Sequence, residues 1–334
     1  MAQKKYNFDI TVTGDSYAGI LALPYVTPAV NTANSIADGL VRRMDGVTHK
    51  AVIKQLVDDG GSLQLAGCDF NDGASLTLKE RVLTLSDLMV NEQICRKTIY
   101  PTWVSTQMNS RNADIQANFA DFLMSVVADN AGAGIERGIY RGINFASNDV
   151  PGFLSDDGIF DNAGFTNSKL KGASYVRTRN VTNTTNAPLD AINIAKNLEL
   201  AYNQATTDCP AILRAQDIQF VVSPQTYAFY SQYLAVAGGN GYINQVSNQD
   251  FAQLTYLGVP LKVAHGMFDG AIILTRAENL VVGTNLGTDL TDATMIPAYQ
   301  YDGSDNVLVT MRFGLGMQSA VVSDAVVMGN FTEV

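Results

Sequence analysis

Ser16 is the first residue that could do chemistry. It closes the run Gly14-Asp15-Ser16 after an alternating stretch, residues 8–12, so a strand would deliver it to a turn. A serine hydroxyl becomes a nucleophile only when a base sits within hydrogen-bond reach. The chain has two histidines, His49 and His265. A serine hydrolase that draws its base from an Asp-x-x-His element would need aspartate three residues earlier, where Gly46 and Lys262 stand. A serine hydrolase using Ser16 is therefore a weak alternative, and no catalytic residue is expected.

Other constellations fail on spacing. The two histidines are far apart in sequence and have no ligand partners nearby, so no metal site is expected. Gly132, Gly134, Gly138 and Gly142 follow a helix instead of joining a strand to one, which is the wrong context for a dinucleotide fingerprint. Asp69-Phe70-Asn71-Asp72-Gly73 places its glycine one position early for a calcium loop and reads as a turn. Cys68, Cys95 and Cys209 are odd in number and widely spaced, without a Cys-x-x-Cys pair, which argues against a disulfide framework or zinc and for a reducing compartment. Neither cofactor nor metal is expected.

Composition fits either surface buried against partners or one large ordinary core. Of 334 residues, 46% are apolar and 16% charged, more apolar material than a solvated surface of this size requires. Net charge is −10, with no basic stripe of the kind that grips nucleic acid; Arg42-Arg43 is the densest basic pair beyond Lys4-Lys5. There is no signal-peptide pattern and no apolar run long enough to cross a bilayer.

The elements follow from periodicity. Residues 1–46 read as an extended arm. Residues 47–95 read as a long hairpin, with strand candidates at 52–57 and around Leu63, Leu65, Leu76 and Leu78, and turns at 58–61 and 69–73. The spacing of Ile115, Phe119, Phe122, Leu123, Val126 and Val127 predicts a helix over 112–131, ended by Gly132-Ala133-Gly134. After a loop-rich stretch to 187, a helix is expected from Leu189 to about Thr206, with Ile192, Ala195, Leu198 and Tyr202 on one face. A buried strand over 218–222 precedes Ser223-Pro224, an N-cap and first-turn pair. Strands follow at 259–264, 271–275, 279–282, 306–313 and 320–328. Helices and strands mix without a βαβ repeat, which predicts an α+β fold.

This order of parts resembles the major capsid proteins of tailed bacteriophages, across nearly the whole chain. Residues 92–103 resemble the exit from the hairpin, 135–142 and 150–154 the region after the long helix, 220–234 and 257–261 the capsomer-centre domain, and 305–313 and 320–327 the closing strands. The resemblance implies the Hong Kong 97-type fold: arm 1–46, extended hairpin 47–95, peripheral domain 96–187 with spine helix 112–131, axial domain 188–290, and closing peripheral strands 291–334. It implies a virion shell subunit assembled in the host cytoplasm. Hexamers and pentamers of self would enclose double-stranded DNA without tight binding, with no membrane contact. A portal, a separate scaffolding protein and decoration proteins are the implied partners. The hairpin pattern begins near Val47, which leaves no room for the charged helical scaffolding segment that some members carry ahead of the arm. Leu63, Leu65, Leu76, Leu78, Arg42 and Arg43 are the expected inter-subunit contacts. An encapsulin-type nanocompartment shell is the alternative on the same fold.

Overall fold

The computed structural model describes residues 15–18, 33–58, 76–95, 119–143, 150–154, 159–160, 174–177, 188–237, 254–285, 292–298, 301, 303–304 and 306–329. The chain forms two compact units. One comprises Met1–Ala33, Asp87–Ile135 and Asn285–Gly314; the other comprises Asn34–Ser86, Glu136–Thr284 and Leu315–Val334.

In the first unit, strand β1 (Asp15–Ala18) lies antiparallel to β12 (Asp292–Pro297), and β12 lies antiparallel to residues 307–312 of β13 (Asn306–Ser319). Strand β5 (Ser86–Cys95) also pairs with β13. The alternation read from the sequence is real here: Val307, Val309, Met311 and Phe313 are buried while their neighbours are less so. The long helix α2 (Phe119–Arg141) contributes Leu123, Met124, Val127 and Ala131 as its buried stripe.

Helix α2 does not stop at Gly132-Ala133-Gly134, as the sequence predicts. It runs on to Arg141, because Ile135, Ile139 and Tyr140 continue the buried stripe. A mid-helix glycine costs only about 1 kcal/mol against alanine, less than burying such side chains returns. The stop is Gly142, at φ +80°, whose N–H donates to the Gly138 carbonyl at 2.9 Å. The freed carbonyls of Ile139 and Tyr140 accept from Phe153 and Leu154 N–H at 2.9 and 2.8 Å. Residues 112–118, the expected start of this helix, lie outside the described residues.

The second unit holds the larger core. Its sheet has the order β6-β14-β10-β7-β9-β8. The members are β6 (Ser174–Arg177), β14 (Ala325–Gly329), β10 (Ile272–Arg276), β7 (Ile218–Val222), β9 (Val259–Val263) and β8 (Thr255–Tyr256). Strand β7 is buried along its whole length, as its continuous apolar run predicts. Strand β14, which the sequence reading places among the closing strands of 291–334, pairs with β10 and β6 in the sheet containing β7. Helix α3 (Ile194–Asp208) starts later than Leu189; the Asp190 carboxylate accepts from Ile192 and Asn193 N–H at 2.8 Å each and holds the preceding turn. Its inner face is Ile194, Leu198, Ala201 and Ala205, a face rotated from the predicted one, and Ile192 is exposed. Helix α4 (Pro224–Ala237) starts as predicted, with Thr226 N–H donating to Ser223 Oγ at 3.2 Å.

The expected arm, 1–46, is partly core. Residues 34–47 belong to the second unit and are fastened within it at several points. The short helix α1 (Asn34–Ala37) presents Ser35 to Glu136, a carboxylate with only 5% of its surface exposed. Ser35 N–H donates to Oε2 at 2.9 Å and Ser35 Oγ to Oε1 at 2.7 Å; Gly266 N–H donates to Oε1 at 3.2 Å. With its own proton on Glu136, Ser35 Oγ receives the Tyr140 hydroxyl at 2.9 Å. Burial, with the Glu136 charge adding to it, pushes the Tyr140 phenol far above its ordinary range, so it stays a donor. Further along, the Leu40 carbonyl accepts from Gln219 at 2.9 Å, and β2 (Arg42–Met44) lies parallel to β11 (Leu280–Thr284). Residues 34–45 thus complete the fold of the second unit.

Two consequences are measurable. Glu136→Ala leaves the Ser35 and Gly266 amides and the Ser35 hydroxyl without their acceptor; at about 1–3 kcal/mol per buried unpaired group, we expect a loss of at least about 2 kcal/mol in chemical denaturation of the unassembled subunit. A loss below about 0.5 kcal/mol would contradict the role given to Glu136. The second concerns Asp217, whose carboxylate meets Arg276 Nε at 2.8 Å. Burial raises its pKa, but the hydrogen bond and charge of Arg276, with backbone donors, outweigh this and hold it below the usual range. A depressed pKa stabilises the fold above the unfolded value of about 4 and ceases to do so as pH falls through the folded value. Asp217→Asn should therefore cost stability at pH 7 and almost none at pH 2–3. Equal losses at both would show that the ion pair is not the cause.

Candidate functional site

Strand β3 (Lys50–Asp58) and strand β4 (Leu76–Thr84) form a ribbon in direct antiparallel register, from Lys50 opposite Thr84 to Asp58 opposite Leu76. The ribbon spans less than the hairpin of 47–95 expected from sequence, since its ladder runs from Lys50 and closes at Thr84. The stretch 86–95 is a separate strand, β5, in the first unit's sheet. Directly opposed residues share one face of a ribbon, and the faces alternate.

One face closes on the chain's own core. Leu83 is fully buried with Val47, Leu85 and Val281, and Met44, Ala51 and Ile53 pack against them. Among the described residues the other face is exposed. Val52 and Val82 stand opposite one another, 49% and 48% exposed, and Leu78 is 55% exposed opposite Leu56. Between the two rungs Lys54 and Glu80 form a cross-strand ion pair at 3.3 Å. Val and Leu on the outer face of a two-stranded ribbon leave apolar area in water that nothing in the ribbon itself covers.

The predicted contact residues fall unevenly on this ribbon. Leu78 is on the bare face. Leu76 ends the ladder opposite Asp58. Leu63 and Leu65 lie outside the described residues. Arg42 and Arg43 lie on β2, where they pair with Val281 and Val282; Arg42 is exposed, while Arg43 Nε is 3.0 Å from the Asp45 carboxylate. Sequence reading missed Val52 and Val82, although their period-two spacing from Lys54 and Glu80 carries the signal.

The described candidates for chemistry lie on separate elements. Ser16 is the second residue of β1, in mid-ladder opposite Thr294, and not at a strand-to-helix turn. His49 and His265 are both exposed. Burial, with the carboxylates of Asp324 and Asp208 adding to it, pushes the Cys209 thiol up to about 11, well away from a reactive thiolate. Among the described residues there is no group of three or more His, Cys, Asp or Glu side chains able to hold a metal. No described helix is long and apolar enough to cross a membrane. A groove of about 660 Å³ lies between α3 and α4, lined by Ile192, Lys196, Glu199, Tyr233, Tyr256 and Leu257 among others. It holds no serine, cysteine or histidine.

No protein-family model matches the chain, and no curated protein matches it by sequence. Solved structures match it over nearly its full length. The capsid of a native GTA particle aligns with a TM-score of 0.57 at 15% identity, covering 99% of this chain and 98% of that one. The procapsid of satellite phage P4, solved with its size determination (Sid) protein, gives 0.54 at 12% identity, with 90% and 98% covered. A structure from Gordonia phage Cozz gives 0.51 at 13%, with 98% and 91% covered. The fold is therefore the α+β, Hong Kong 97-type capsid fold that the order of elements predicts.

Neighbouring residues on opposite ribbon faces should behave oppositely. Leu83→Ala is expected to cost about 2–5 kcal/mol, as a fully buried leucine. Val82→Thr, one residue away, should stay within about 0.5 kcal/mol. Urea denaturation of the unassembled subunit measures both; comparable losses would mean that the chain covers Val82 itself.

Proposed function

We propose that this chain is the major capsid subunit of a tailed phage, a structural protein and not an enzyme. In this reading copies associate as hexamers and pentamers in an icosahedral shell around double-stranded DNA. The full-length likeness to the capsids of a GTA particle and of satellite phage P4 supports it. The observation that carries it is the ribbon: one face anchored in the subunit, the other apolar and bare at Val52, Val82 and Leu78.

The bare face is the contact, and a neighbouring subunit is its occupant. Leu63, Leu65, Leu76 and Leu78 contribute apolar area, and exposed Arg42 adds a positive charge. Arg43 contributes less, because Asp45 already engages it. The sheet of β7, β9 and β10 with α3 and α4 serves as the axial domain at the capsomer centre. A net charge of −10 suits a wall that encloses DNA without binding it, since phosphate contacts need clustered Lys and Arg. Assembly takes place in the host cytoplasm, with a portal, a separate scaffold and decoration proteins as the partners of the shell.

The test removes the apolar face and keeps the ribbon. In a Val52→Glu/Val82→Lys subunit the opposed charges form a cross-strand pair like Lys54–Glu80, so the ladder is retained. We expect the wild-type chain to sediment as closed shells or capsomers, and the double variant to sediment as a subunit with an unchanged circular dichroism spectrum and melting temperature. Normal shells from the double variant would remove the ribbon from the assembly interface.

A further inference from the structure

Where the ribbon points is decided at its base, and two glycines stand there. Gly283 of β11 and Gly316 of β13 are direct partners in the antiparallel ladder between those strands. Paired residues share a face, so the two positions together leave a notch without side chains in the sheet. Residues 83–85, where β4 leaves the ribbon, lie in that notch. A Cβ added to Gly316 would land on the Thr84 carbonyl oxygen, with Thr84 C at 3.0 Å and Leu85 Cα at 3.2 Å. A Cβ added to Gly283 would land on Leu83 Cδ2, with Leu83 Cγ at 3.3 Å and Leu85 Cδ1 at 3.4 Å. Neither glycine has a positive φ, so backbone conformation does not demand glycine at either place; space does.

The same strands hold the ribbon base by hydrogen bonds. Gln318, two residues beyond Gly316, donates from Nε2 to the Val82 carbonyl at 2.9 Å. Val47 N–H donates to the Thr284 carbonyl at 3.1 Å, and Thr284 Oγ1 donates to Asp45 at 2.9 Å. Leu85 N–H closes the ladder on the His49 carbonyl at 2.9 Å. Both legs of the ribbon are thus seated on β11 and β13, one at Asp45 and Val47, the other at Val82 to Leu85.

We propose that the Gly283–Gly316 pair is a positioning device for assembly: it lets the backbone at Thr84 sit directly on the sheet and so sets the direction in which the bare ribbon face is presented to a second copy of this chain. The inference rests on the shell reading above and deepens it. A ribbon several residues long amplifies a small change at its root, so a few tenths of an ångström at Thr84 become a larger displacement at Leu78. The two glycines act through different atoms. At Gly316 the obstacle is backbone, which cannot be trimmed. At Gly283 it is the end of the Leu83 side chain, which can.

The experiment uses full-length chains carrying Gly316→Ala, Gly283→Ala, Leu83→Val, and each glycine change combined with Leu83→Val. Each is measured for assembly by sedimentation, and for ribbon direction by the distance between spin labels at positions 54 and 278 in the unassembled subunit. Both label sites are exposed. We expect Gly316→Ala and Gly283→Ala to fold, to shift the label distance, and to lose at least tenfold in shell yield. Leu83→Val should restore distance and yield to Gly283→Ala and leave Gly316→Ala defective. Normal distance and yield in both single glycine variants would overturn the inference, as would a loss of yield with an unshifted distance. If Gly316→Ala does not fold, the Gly283→Ala and Leu83→Val pair decides alone, and failure of rescue there counts against the proposal. A wild-type chain that never assembles would instead sink the shell reading, and the label distances would still report whether the notch sets the ribbon direction.

Discussion

A two-stranded ribbon cannot bury both of its faces, and that constraint organises this molecule. The side chains of Leu83 and its neighbours give the β3–β4 ribbon one face to bury, and the chain buries it against Val47 and Val281. The opposite face, with Val52, Val82 and Leu78, has no second layer within the ribbon. At roughly 25 cal/mol per Å² of apolar area, leaving such residues in water forgoes stabilisation that another surface could supply. In the proposed shell that surface belongs to a neighbouring subunit.

The rest of the second unit makes that exposed element rigid enough to use. Glu136 gathers two backbone amides and a hydroxyl from segments 101 and 130 residues away from it in sequence. Arg141, one turn on, reaches the carbonyls of Gly266 and Met267 at 3.0 and 2.9 Å and stacks its guanidinium over Phe268. Asn279 does similar work at the other end. Its amide donates to Thr275 Oγ1 and the Val321 carbonyl and accepts from Ser319 Oγ and Val321 N–H, which ties the turn after β13 to the turn between β10 and β11. These are saturated polar groups, every member partnered, and such networks fix geometry as well as adding stability. Of the residues that could do chemistry, Ser16 lies in a ladder and the Cys209 thiol is pushed up by burial.

The sequence disclosed elements better than it disclosed their partners. The buried run of β7, the Ser223-Pro224 start of α4 and the alternation of β13 are local patterns, and each appears where the periodicity puts it. Local patterns fail where a tertiary contact outweighs propensity. Gly132 and Gly134 look like a helix stop, yet Ile135 and Ile139 have a core to enter, so α2 continues. Residues 33–47 look like a free arm because α1 and β2 are too short to show a period; their order comes from Glu136, Gln219 and β11, all distant in sequence. Strand β14 looks like a closing peripheral strand for the same reason. On the ribbon the hydrophobic alternation was visible at Leu76 and Leu78, but which face closes on the core depends on Leu83 meeting Val281, and no periodicity carries that. The two notch glycines were unreadable as well, since a lone glycine in a strand looks the same whether it serves a bulge or a close approach.

Electron microscopy of the purified wild-type chain, under conditions from dilute subunit to concentrated protein, tests the central claim most directly. The account predicts closed shells or capsomer rings, with density for the β3–β4 ribbon lying against an adjacent subunit and Val52 and Val82 covered. Particles in which the ribbon face stays in solvent, or a chain that remains a single subunit under every condition, would contradict it.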